Sequence, residues 1–243
     1  MASFYNEIDP YAAAWLRNLI KAGLIPDGEV STQSIVDLRP SDLAGFDQCH
    51  FFAGIGGWSQ ALHLAGWAPD RPVWTGSCPC QPFSEAGKGL AKEDPRHLWP
   101  AWFKLIKSCK PSIIFGEQVP EAVRHGWLDA VYDDLEAEGY AVGAAILPAC
   151  SVGAPHLRDR LWFLADASGQ WGEPVRGQQF AKGCPQERAI PQWEAEPGVA
   201  RMVDGVRNRM ALVRGFGNAI VPQVAAEVIK ALMETLDAPQ TSL

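Results

Sequence analysis

The chain has 243 residues, of which 47% are hydrophobic and 20% charged, and a formal net charge of −7. This is the composition of a globular protein with a sizeable core, which excludes a disordered or fibrous chain, and no run approaches the ~18 apolar residues of a membrane span. Six cysteines with no pair in a Cys-x-x-Cys frame argue against a disulfide framework or a zinc ribbon, and for a reducing, cytoplasmic setting.

In chain order, short apolar runs alternate with helical periodicity, the pattern of an α/β fold with a mostly parallel sheet. Ser3–Asn6 reads as a short strand, after which Asp9 and Pro10 supply an N-cap and a first helical residue. Ala12, Trp15, Leu16 and Leu19 form one apolar face, and Gly23 ends that helix. Gln48–Ala53 is a predicted strand that leads through Gly54, Ile55, Gly56 and Gly57 into a helix at Trp58–Ala65. Pro72–Ser77 is another strand, and a helix at Leu98–Lys107 sets Trp99, Trp102, Phe103 and Ile106 on one side. Ser112–Gly116 is a strand and Leu128–Glu138 a helix, while Tyr140–Leu147 and Leu161–Ala165 pair antiparallel. Asp166 to Ala200, rich in Gly, Pro, Gln and Glu, has no period and reads as a loop-like insertion. Asn218–Met233 closes the chain as a helix.

Four points along this pattern carry chemistry. A strand, then Phe52-Ala53-Gly54-Ile55-Gly56-Gly57, then a helix makes either a cofactor cradle or a tightly packed turn, because glycines let backbone approach a ligand or a neighbour closely. Ser77-Cys78-Pro79-Cys80-Gln81-Pro82-Phe83-Ser84 stands at a strand end, where ligands bind in open α/β sheets. A thiol there is a nucleophile, an inert core group or half a metal site; with no second cysteine pair nearby, metal is the weakest of the three. Glu117, just past an apolar strand, is an acid with a raised pKa or a capping residue. Arg158 and Arg160, two apart in an extended segment, share a face suited to clamping an anion or carbonyl, or lie on a solvated edge.

These segments, with Gly217-Asn218 before the last helix, follow one another as in the C5-cytosine DNA methyltransferase family, which the chain resembles from Phe51 to its end. The resemblance implies a Rossmann-like, S-adenosylmethionine-dependent fold: a mostly parallel sheet with an antiparallel strand pair at one end. It implies Cys80, Glu117, Arg158 and Arg160 as catalytic residues, the thiol adding to C6 of a flipped cytosine and the others steadying the base and the nucleophile loop. Phe52, Gly54, Ile55, Gly56, Gly57, Pro79, Asn218 and Ala219 would hold the methyl donor, with no metal. Double-stranded DNA is the implied partner, in a bacterial or phage-infected cell, and a partner chain supplying target recognition is a further option. A non-catalytic relative and an enzyme acting on a free cytosine nucleotide are the rival readings.

Cys80 follows Gly57 by only 23 positions, where the family places two more βα units of ~30 residues each. Asn6-Glu7-Ile8-Asp9-Pro10-Tyr11-Ala12 and Pro26-Asp27-Gly28-Glu29-Val30 resemble the missing segments, so the second and third strands are expected to precede the first. In this permuted order Glu7 takes the ribose hydroxyls, Ile8 packs on adenine, and Glu29, with Val30, reaches the adenine edge. Gln118 replaces the family's Asn, and His50 its usual acidic residue. The catalytic domain is expected at residues 1–165 and 201–243, with 166–200 a short recognition-like insert. Residues Arg158 to Arg214 hold nine Lys and Arg against seven Asp and Glu in an otherwise acidic chain, which predicts weak, salt-sensitive nucleic-acid binding.

Overall fold

The computed structural model describes residues 2–79, 98–169, 215 and 217–237. Its elements are β1 (Ser3–Asn6), α1 (Pro10–Lys21), β2 (Gly28–Ser31), β3 (Gln48–Phe51), α2 (Gly57–Ala65), β4 (Val73–Ser77), α3 (Trp99–Cys109), β5 (Ile113–Gln118), α4 (Glu121–Arg124), α5 (Trp127–Ala137), β6 (Ala141–Leu147), β7 (Arg160–Asp166) and α6 (Pro222–Asp237). The strands form one seven-stranded sheet in the order β2-β1-β3-β4-β5-β7-β6. The first five strands in that row are parallel to one another, and β7 runs antiparallel between β5 and β6.

The two N-terminal strands therefore extend the sheet from the strand that feeds the glycine turn, β1 next to it with Asn6 in register with Phe51 and β2 outside β1. The expected antiparallel pair closes the other end. Two sequence-based bounds shift in ways that matter. β5 runs on to Gln118, so Glu117 sits within the strand and not just past it. The last helix starts at Pro222, not Asn218: a proline opens a helix readily because its missing N–H would be unpaired there anyway.

Both sheet faces are covered, which is why every residue of β1, β3 and β5 is buried, the polar Asn6, Gln48 and His50 included. On one face Phe4, Phe51, Trp74, Trp99, Trp102, Ile106, Ile114, Leu135 and Phe163 pack together with α3 and α5. On the other, Trp58, Leu62, Val73, Phe115, Trp162, Val224 and Ile229 join the sheet to α2 and α6. Successive residues of a strand divide between the faces, as Ile114 and Phe115 do. Gly76 admits Trp102 to the sheet: a Cβ there would stand 2.6 Å from the indole Cη2. Under α1, Tyr5, Leu16, Ile25 and Ala53 make a third, smaller cluster. The Asp9 carboxylate caps α1 by accepting from the Tyr11 and Ala12 N–H groups, at 2.8 and 3.1 Å.

His50 lies in the middle of this packing, 1% exposed and stacked on Tyr5 with ring centroids 5.0 Å apart. Its Nδ1 is 2.7 Å from Thr75 Oγ1 and its Nε2 3.2 Å from Ser59 Oγ. Ser59 donates onward to Tyr5 Oη at 3.4 Å, and Tyr5 donates to the Pro26 carbonyl at 2.9 Å. With the Ser59 hydrogen committed to Tyr5, Nε2 must carry the imidazole proton and Nδ1 must accept from Thr75. A buried polar chain then runs from β4 through β3 and α2 to β1 and the turn before β2.

Candidate active site

The carboxyl ends of the parallel strands, and the amino end of β7, lie along one edge of the sheet, the usual place for ligands in open α/β folds. A cavity of about 390 Å³ opens there, lined by Glu7, Ile8, Phe52, Gly54, Ser77, Cys78, Pro79, Glu117, Gln118, Arg160 and Asn218 among others. Strand register fixes the central group. Ser77 is in register with Glu117, and Glu117 with Trp162, so Arg160 at the start of β7 reaches across to the carboxylate. Arg160 Nε donates to Glu117 Oε1 at 2.8 Å.

Glu117 is 8% exposed. Burial lifts its carboxyl above the ordinary carboxylate range, against the opposing pull of Arg160, the Ser77 hydroxyl and the more distant Arg158. The cleft thus holds a buried acid whose affinity for a proton is raised by burial and opposed by a cationic neighbour. Cys78 is buried, and both burial and the nearby Glu117 push its thiol well above the usual range. Such a raised thiol is a poor nucleophile. Gln118, in place of the family's Asn, still reaches the segment after β4: Nε2 donates to the Cys78 carbonyl, at a long 3.5 Å, and Oε1 accepts from Val119 N–H at 2.9 Å.

At the other end of the cleft, Glu7 follows β1. Its two carboxylate oxygens accept from Asp9 N–H at 2.8 Å and Gly54 N–H at 2.7 Å, and burial raises its pKa against those bonds. The N-terminal segment and the glycine turn are thereby joined directly. Ile8 next to it is 65% exposed and lines the cleft. Gly54 has φ +56° and a Cβ on it would meet nothing within 4 Å, so its backbone faces open space. Phe52 takes φ +51°, a left-handed conformation that a bulky residue rarely adopts and that clusters at ligand sites.

Other expected site residues lie elsewhere. Ile55, Gly56, Gly57 and Ala219 line a second, larger cavity of about 660 Å³ together with Trp15 and Arg158. Gly57 serves close packing there, since a Cβ would stand 2.7 Å from Ile220 Cγ1. Arg158 does not share a face with Arg160. It takes φ +37°, and β7 begins only at Arg160, so the two-residue alternation of an extended strand does not reach it. Its Nη2 donates to the Gly217 and Ala219 carbonyls at 2.9 and 2.6 Å, which brace Asn218 at the cleft. Glu29 is exposed on β2, and Val30 packs beside the cluster of Tyr5, Leu16 and Ile25; neither lines the cleft, whose wall on that side is Ser34 and Ile35. Cys80 and most of the insert lie outside the described residues.

The sequence reading missed Ser34, Ile35, Leu98 and Ser77 as cleft residues. Ser77 alone had a usable signal, as the last residue of a predicted strand. Among the described residues there is no group of three His, Cys, Asp or Glu placed to hold a metal, and no helix long and apolar enough to cross a membrane.

A sequence model described as C-5 cytosine-specific DNA methylase matches residues 68–196, just over half of the chain and the part that holds Glu117 and Arg160. The chain belongs to that family. Type II methyltransferase M.NgoMIV of Neisseria gonorrhoeae is 35% identical over 121 residues, 44% of this chain and 37% of its own length. Type II methyltransferase M.HgiCII of Herpetosiphon aurantiacus is 32% identical over 100 residues, 40% of this chain and 23% of its own. The methylase chain thus spans well under half the length of these relatives. Among solved structures, the S. pombe Dnmt2 methyltransferase superposes with a TM-score of 0.54 at 15% identity, covering 98% of this chain and 99% of that one, a likeness of fold.

Proposed function

We propose that this methylase transfers a methyl group from S-adenosylmethionine to C5 of a cytosine flipped out of double-stranded DNA. The observation that carries this reading is one cleft with the buried Glu117–Arg160 pair at one end and the Glu7–Gly54 link beside Ile8 at the other. Its volume falls in the range of small-molecule sites, roughly 300–1,000 Å³.

The donor fits the residues present. Ile8, Ile35 and Phe52 offer apolar surface for an adenine, Glu7 a carboxylate for ribose hydroxyls, and Gly54, Pro79 and Asn218 the backbone and amide groups for the amino-acid end. When bound, S-adenosylmethionine supplies a methyl group on a sulfonium sulfur, an electrophile for C5.

The protein's own task is to make C5 nucleophilic. Addition of the Cys80 thiolate to C6, with Glu117 passing its proton to N3, moves electron density onto C5. Arg160, paired with Glu117, steadies the carboxylate left behind and in this reading meets the base edge as well. Loss of the C5 proton to water, return of the N3 proton to Glu117 and departure of the Cys80 thiolate restore the aromatic ring. Residues 166–200 serve as the recognition-like insert in this reading, and the N-terminal strands as the permuted second and third strands.

Incubation with varied duplexes and labelled donor, followed by nucleoside analysis, tests the proposal. 5-Methylcytosine should form with wild type and not with Cys80→Ala, and 5-fluorocytosine in DNA should trap Cys80, leaving Cys78 unlabelled. Transfer to dCMP but not to any duplex would overturn the DNA half of the reading. Attachment of the trap at Cys78 would overturn the nucleophile.

A further inference from the structure

One polar side chain in the Glu117 cleft has no task in the reaction so far. Ser77 ends β4 directly in register with Glu117, and both line the cavity. The indole Nε1–H of Trp58 donates to Ser77 Oγ at 3.1 Å. An indole nitrogen only donates, so Oγ accepts there and its own hydrogen is left to turn elsewhere. Residues in register on parallel strands present their side chains to the same face, so the neighbouring acceptor is the Glu117 carboxylate, whose proton affinity the Ser77 hydroxyl draws down.

Trp58 is itself held firmly. It is 3% exposed, stacked on Phe115 at 6.2 Å and met edge-on by Trp162 at 5.7 Å. The position of the Ser77 oxygen is therefore braced by the packing of α2 on the sheet, and with one lone pair taken by Trp58 its hydrogen points to the remaining side, where Glu117 lies.

We propose that Ser77 is a positioning residue for Glu117: aimed by Trp58, its hydroxyl donates to the carboxylate alongside Arg160, fixing the plane of the carboxyl and steadying its charge. The proposal deepens the methyl-transfer reading, in which Glu117 meets the base edge and must both give and regain a proton.

The other groups around Glu117 do not duplicate this. Arg160 and Arg158 are cationic, the Cys78 thiol stays neutral through burial, and the acids Glu7 and Asp9 lie along the same cleft. Arg160 supplies charge, while Ser77 supplies a donor whose direction is fixed. A donor to a carboxylate favours its charged form, so removing Ser77 leaves Glu117 holding its proton to higher pH.

The test is a 13C NMR titration of glutamate-labelled protein, followed at Glu117 in wild type, Ser77→Ala, Ser77→Thr and Trp58→Phe, with pH–rate profiles for methyl transfer alongside. Ser77→Ala should move the Glu117 midpoint up by about half to one pH unit. Ser77→Thr should restore it, and Trp58→Phe should shift it in the same direction by less. The alkaline limb of the rate profile should follow these shifts. An unchanged midpoint in folded Ser77→Ala would overturn the proposal. If that variant does not fold, Ser77→Thr at the wild-type midpoint with an upward shift in Trp58→Phe supports it, and coincident titrations of all folded variants refute it. The titration does not depend on turnover. Shifted midpoints with no transfer to DNA would sink the functional reading and leave the Ser77 assignment standing.

Discussion

Glu117 and Glu7 are both partly or fully buried carboxyls on one cleft, and their partners set them different tasks. Glu117 stands beside a guanidinium and a hydroxyl, and burial raises its hold on a proton against both. Glu7 faces two backbone N–H groups, one of them from the glycine turn, and acts as a fixed acceptor. Glu7→Ala should therefore weaken donor binding by about 10-fold or more, the value of hydrogen bonds to a charged group, with calorimetry as the measurement. Unchanged affinity would remove the N-terminal segment from the donor site. Arg158 makes a different prediction from the one its motif suggests. Because it braces the Gly217 and Ala219 carbonyls, Arg158→Ala should lower the thermal midpoint and donor affinity together, through Asn218. Arg158→Lys should recover only part of both, since an ammonium lacks the planar fork of a guanidinium. Loss of DNA affinity alone, with donor affinity intact, would return Arg158 to the base.

Between elements, the His50 chain is the tie that matters most. It joins β4, β3, α2 and β1, and β1 delivers Glu7 to Gly54. The substitution of His for the family's acidic residue is thus absorbed by a neutral, fully partnered imidazole. Burial pushes its pKa down to about 3, so the native state refuses a proton that the unfolded chain accepts near 6.5. Stability from this group is complete above the unfolded value and is lost as the pH falls toward the folded one. At pH 5 the loss should reach roughly 2 kcal/mol. Chemical unfolding at pH 5 and 7 checks this: His50→Gln should be less stable at neutral pH but fall less on acidification. An equal fall in both proteins would mean that His50 is not the titrating group. The packing of α2 against the segment before α6 offers a second measurement. Gly57→Ala should cost about 1–3 kcal/mol by pressing on Ile220, and Ile220→Ala should relieve part of that cost in a double-mutant cycle.

For the whole molecule, chain order and spatial order differ at the N-terminus. β1 and β2 come first in the chain, yet they extend the sheet outward from β3, with α1 packed above them. A sheet is stabilised by neighbours in space, not by the order in which they are made. Moving residues 2–45 by flexible linkers into the loop between α2 and β4 should therefore preserve fold and donor affinity within a few-fold, as read by circular dichroism and calorimetry. A rearranged chain that folds but loses the donor would show that the present order is needed for the site.

Periodicity and turn residues alone determined most of the elements, because each strand and helix must bury a face against its neighbours and writes that need locally. The Asp9–Pro10 start of α1, the antiparallel pair and the strand before the glycine turn all fall in this class. The motif order pointed to the family, and strand register brings its Glu117 and Arg160 together at one sheet edge. Other features depended on tertiary contact. That Arg158 reaches the Gly217 and Ala219 carbonyls depends on a left-handed backbone and on where that segment lies, and that Gly57 packs while Gly54 opens depends on where Ile220 lies. The acidity of Glu117, the neutrality of His50 and the aim of Ser77 each need a partner brought from another element. Distance and burial set such properties, and neither is written in the residues until the sheet has formed.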